Sequence, residues 1–186
     1  MLRKWVGVLL VSVIAATTAS AATFVTVGEP EITKTADGER FIQDVTLANE
    51  IAHYTLNYDV NRSADKPGEI TSHWWQWEQG YIPIGMTEPS NANWYWQAFM
   101  RWTIDGDSLH TLPATMRVIR ESGPDGMIEY SWDAPKARVW LRFAMLSGSD
   151  KLLMFGGIEA KEPVQGSKLA LVCYPATFAQ PRSRSV

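Results

Sequence analysis

From Thr23 to Tyr174 the chain is a succession of short runs in which apolar residues recur at every second position, each run closed by turn-forming residues. No segment sustains a helical apolar period, so the pattern selects pleated strands with one buried face rather than packed helices. The clearest case is His53 to Val60. Tyr54, Leu56, Tyr58 and Val60 share one face, and His53, Thr55, Asn57 and Asp59 share a face expected to be wet.

Two hairpins are legible from their turns. Thr115–Glu121 and Met127–Asp133 flank a turn ending in Asp125-Gly126, with Ile128, Tyr130 and Trp132 opposite Glu129 and Asp133. Residues 136–146 and 151–158 flank Ser147-Gly148-Ser149-Asp150, with Val139, Leu141, Phe143 and Met145 as a packed face. Pro30 breaks Thr23–Thr35 into two short strands or places it at an edge. Further strands are expected over 40–49, 69–79, 93–105 and 168–174, with Pro83, Gly85 and Pro89 in a loop between the third and second last of these. The class is all-β, an antiparallel β-sandwich of jelly-roll type with about nine or ten strands. An outer-membrane barrel fits less well, because the aromatic rings on both sides of 94–104 would fill a lumen.

The N-terminus has the pattern of a secretory leader. Arg3-Lys4 precedes an apolar run from Trp5 to Ala16, and Ala19-Ser20-Ala21 supplies small residues at a cleavage site. Residues 1–21 are therefore read as a signal peptide, 22–176 as one β-sandwich domain and 177–186 as a flexible tail. The expected address is secreted or periplasmic, with no integral membrane segment after cleavage. Cleavage also removes Arg3 and Lys4 from the 17 basic side chains, leaving 15 against 20 acidic ones and a formal charge of −5. Such a balance gives no support to nucleic-acid binding. The lone Cys173, in an apolar run, is expected as a small buried hydrophobe, and an internal disulfide is impossible.

Six of the nine tryptophans fall between Trp74 and Trp102. Read as strands, this stretch puts Trp94, Trp96, Ala98, Met100, Trp102 and Ile104 on an inward side and Tyr95, Gln97, Phe99, Arg101 and Thr103 on the other. In the run before it, the set with Gln76 and Glu78 is assigned outward, since an amide and a carboxylate in the core would need partners. Trp74, Gln76, Glu78, Tyr95, Gln97, Phe99 and Arg101 then form one open face. Rings that take apolar C–H patches beside amide, carboxylate and guanidinium groups suit a glycan or another polar small ligand. The bland alternative is that all these rings are core.

No catalytic motif or cofactor signature is present. A glycan-active hydrolase on the same scaffold would use a carboxylate pair such as Glu78 and Glu129, or Asp59 and Glu129. A non-catalytic envelope interaction module is the other alternative, with Tyr95, Phe99 and Arg101 as interface residues. His53, His73 and His110 are isolated, without the spacing of a metal site, and Asp105-Gly106-Asp107 reads as a tight turn.

Overall fold

The computed structural model describes residues 22–72, 74–90 and 95–172. The expected leader, the tail, His73, Trp94 and Cys173 lie outside the described residues. In chain order the elements are β1 (Thr23–Val27), β2 (Glu31–Thr35), β3 (Gly38–Ala48), β4 (His53–Ser63), β5 (Ile70–Thr71), α1 (Trp75–Glu78), β6 (Ile84–Glu88) and β7 (Met100–Ile104). They continue as β8 (Asp107–Ser108), β9 (Thr115–Arg120), β10 (Ser122–Gly123), β11 (Asp125–Asp133), β12 (Ala137–Leu146), β13 (Leu152–Ala160) and β14 (Ser167–Leu171). Three of these strands, β5, β8 and β10, are two-residue pairings.

All strand pairings among the described residues are antiparallel, and these residues are nearly all β. One sheet runs β10-β1-β3-β4-β5, with β2 also on β3 and β6 also on β4; a second runs β13-β12-β11-β9; a third runs β14-β7-β8. The inner face of the second sheet packs on both of the others. Tyr130 meets Tyr58 of β4 at 6.1 Å between ring centroids, and Trp132 meets Trp102 of β7 at 6.5 Å. Val139, Leu141, Phe143 and Met145 are buried as their alternation implied. A ring such as Trp132, with none of its surface exposed, removes about 150–250 Å² from water and contributes about 4–6 kcal/mol by area. This burial stabilises a chain whose one cysteine cannot form an internal disulfide.

Two expectations fail on the tryptophan-bearing runs. Residues 69–79 are not a strand: after β5 the Ser72 hydroxyl accepts from Trp74 N–H at 2.8 Å, and the helical turn α1 follows. Gly80, at φ 86, accepts the left-handed conformation that ends such a turn, and its N–H donates to Trp77 O at 2.7 Å. Nor is 93–105 one strand. Residues 95–99 turn across β6 before β7 starts, with Met86 N–H donating to Tyr95 O at 2.6 Å and Ile82 N–H to Met100 O at 2.9 Å.

One end of the sandwich is stitched by side chains. Asn49, in the β3–β4 turn, accepts from Ile51 and Ala52 N–H and donates through Nδ2 to Leu146 O and Ser149 O at 2.6 and 2.7 Å. Glu50 accepts from Gly148 N–H, and Tyr54 OH donates to Asp150 O at 2.5 Å. The turn between β12 and β13 is thereby held against the turn between β3 and β4. A groove opens beside this junction.

Candidate functional site

The groove is lined by Tyr54, Met86, Tyr95, Phe99, Phe143, Asp150, Lys151, Leu152, Met154 and Leu171, and has a volume of about 470 Å³. That size falls in the range of small-ligand sites, about 300–1,000 Å³. Phe99 and Phe143 are buried and form its floor. Tyr95 leans on Phe99 with ring centroids 4.6 Å apart, while Tyr54, fixed by its bond to Asp150 O, stands among the lining side chains. Asp150 and Lys151, paired at 3.0 Å, supply the charged groups. The tyrosine rings and thioethers offer apolar surface, and the paired charges give a polar edge.

The expected face is only partly assembled. Tyr95 and Phe99 meet in the groove, but Phe99 is buried rather than open, because 95–99 folds over β6 instead of continuing β7. Trp74 instead packs edge-on against Trp96 at 5.7 Å. Trp96, assigned inward, is exposed, as is Trp75; Trp77 is buried. Gln76 is half-buried with its Oε1 unpartnered among the described residues, whereas Glu78 is exposed. Gln97 is half-buried, and its carbonyl lies over Gly85. Arg101 lies over the Tyr81 ring at 4.4 Å and donates to Gln79 Oε1 at 3.2 Å. The seven residues are divided among the groove (Tyr95 and Phe99), the Trp74–Trp96 contact, the end of α1 (Gln76, Glu78 and Arg101) and the crossing over β6 (Gln97).

Sequence reading missed Met86, Leu152, Met154 and Leu171 as lining residues, and read Tyr54 and Phe143 only as core. Tyr54 and Leu152 could have been found by continuing the alternation of their strands to the sheet end, where the packed face runs out of cover. Met86 carries no such signal, since Pro83, Gly85 and Pro89 around it have the composition of a loop.

Two acids expected on wet faces are held by arginine. Asp59 accepts from Arg40 Nε and Nη2 at 2.9 and 2.6 Å. Glu129 lies on the outer face of β11, yet its side chain has no exposed surface. Its Oε1 accepts from Arg117 and Arg138 at 2.9 and 2.6 Å, and its Oε2 from Arg142 at 2.7 Å. Burial pushes its carboxyl pKa up, but the hydrogen bonds from Arg117, Arg142 and Arg138 outweigh this and hold it below the usual range. The ladders set Glu129 opposite Arg117 of β9 and opposite Arg142 of β12.

Asp105 accepts from Lys136 Nζ and from the Gln165 and Gly166 N–H groups. No group of three or more metal-binding side chains occurs among the described residues, and no helix among them is long and apolar enough to cross a membrane. Comparison of the chain with protein families, curated proteins and solved structures finds no match.

Proposed function

We propose that this is an exported, non-catalytic binding protein that takes its ligand in the Tyr54–Tyr95–Phe99 groove, the first ligand class being a glycan. The observation that carries this is the groove itself: two tyrosines over a phenylalanine floor, with a charged pair among the lining residues. A pyranose has an apolar C–H face for the rings and hydroxyls for Asp150 and Lys151. The commitment of Glu129 and Asp59 to guanidiniums speaks against the carboxylate pairs a hydrolase would use. Met86, Leu152, Met154 and Leu171 favour a second reading, in which the groove holds an acyl chain.

Saturation-transfer NMR against a glycan panel, with a fluorescent fatty acid as the competing probe, separates the two. Tyr95→Ala should weaken glycan binding about tenfold, the loss of one ring contact, with folding retained. Binding of neither class would overturn the proposal. The basic-then-apolar N-terminus supports export, and mass spectrometry after expression in a secreting host should show a mature chain starting at Ala22. A product retaining Met1–Ala21 would remove the export step.

A further inference from the structure

Among the described residues, β13 pairs only with β12, so one side of its backbone is an open edge. Edge strands invite pairing with another chain and usually carry charges that discourage it. Three others here do. Within β2 stand Glu31 and Lys34, within β9 Arg117 and Arg120, and within β14 Lys168. From Leu152 to Ile158, β13 has none, and Phe155 and Ile158 are exposed. Its charges stand at the ends: Lys151 just before the strand and Glu159 near its close, with side chains 74% and 59% exposed.

These positions are self-complementary. Opposite faces alternate along the strand: Lys151, Leu153, Phe155, Gly157 and Glu159 share the outer face, and Leu152, Met154, Gly156 and Ile158 the inner one. When a second β13 is laid antiparallel with Phe155 opposite Phe155, Lys151 meets Glu159 at both ends. Leu152 then meets Ile158, Leu153 meets Gly157 and Met154 meets Gly156, so each bulky side chain of the last two pairs faces a glycine. A slip of two residues one way puts Lys151 opposite Lys161; the other way leaves Lys151 opposite Gly157 and Glu159 opposite Ser149. The charges therefore select one register.

We propose that two copies of this chain associate through β13, pairing antiparallel about a two-fold axis at Phe155 and joining their second sheets into one. An isologous contact of this kind closes on itself and so caps the edge. One strand pair buries less than the ~1,200 Å² of a standard interface, so the dimer is expected to dissociate in the micromolar range.

Sedimentation velocity of the ligand-free mature chain from about 5 to 500 µM tests this across the expected range. The sedimentation coefficient should rise with concentration. Lys151→Glu and Glu159→Lys should each weaken association tenfold or more, because each places like charges opposite one another at both ends. The double exchange should restore it to within about threefold of the parent. Both side chains are exposed, and circular dichroism confirms folding of each variant. Phe155→Lys should abolish association by placing two cations on the axis. Monomer at all concentrations overturns the dimer; single exchanges without effect, or a double exchange without rescue, overturn this register.

Discussion

Replacing Gly85 with alanine is expected to destabilise the protein by about 2–3 kcal/mol, the upper part of the range for overpacking, and to abolish ligand binding in the groove. A Cβ at this position would lie 2.5 Å from Trp96 O and 2.4 Å from Gln97 O. Neither atom is the free end of a flexible side chain, so the backbone of 95–97 must lift away from β6. The Met86 N–H to Tyr95 O bond ties that segment to β6 one residue further on. Tyr95 would shift with it, leaving Phe99 and losing its place in the groove. Gly166→Ala is the control. Nothing lies within 4 Å of its added Cβ, and its φ is not in the left-handed region, so its effect should stay within about 0.5 kcal/mol. Urea melts and ligand titration read both variants. Gly85→Ala with unchanged stability and affinity would show that 95–97 does not lie on β6.

The same glycine marks where sequence reasoning ran out. An isolated glycine inside a strand indicates close approach of another backbone, yet Gly85 sits between Pro83 and Pro89, which together read as a loop. Strands with one uniformly apolar face were legible: in β11 and β12 the inward rows are buried residue for residue, because alternation and burial report the same thing there. The reading failed where tertiary contacts set the local path. Trp74 to Gln79 has an alternation that a strand and a short turn both satisfy, and the exposure of Trp75 beside the burial of Trp77 decides between them, since a strand would bury both. Wet faces were legible as outward but not as uncovered. Thr55 is buried by its hydroxyl contact with Thr46 at 2.8 Å, and Asp59 and Glu129 by arginines from neighbouring strands. A period within one strand does not show which side chain of the paired strand reaches over its face.

Glu129→Ala is expected to destabilise the fold by about 2–3 kcal/mol. The usual loss on breaking a buried ion pair is about 3–5 kcal/mol, and two features lower it here. Arg138 keeps Glu159 at 2.8 Å, and Arg142 keeps its place over the Trp140 ring at 4.2 Å. Among the described residues Arg117 has no such substitute, and its side chain is half exposed, so water recovers part of its solvation. The dependence on pH identifies the cause. Since the folded carboxyl titrates below its unfolded value, its contribution is fully present above that value, about 4.3, and is lost as pH falls through the folded pKa. The stability difference between the parent and Glu129→Gln should therefore be constant from about pH 7 to 5 and close on further acidification. Urea melts at those values and near pH 2.5 measure it. A packing role for the side chain would leave the difference unchanged at every pH, because glutamine has nearly the same shape and its amide does not titrate. The charged reading also requires the difference to shrink in high salt, since all three guanidiniums reach solvent. A difference indifferent to both acid and salt would mean that Glu129 holds the sheet face by shape, and that the arginines merely cover it.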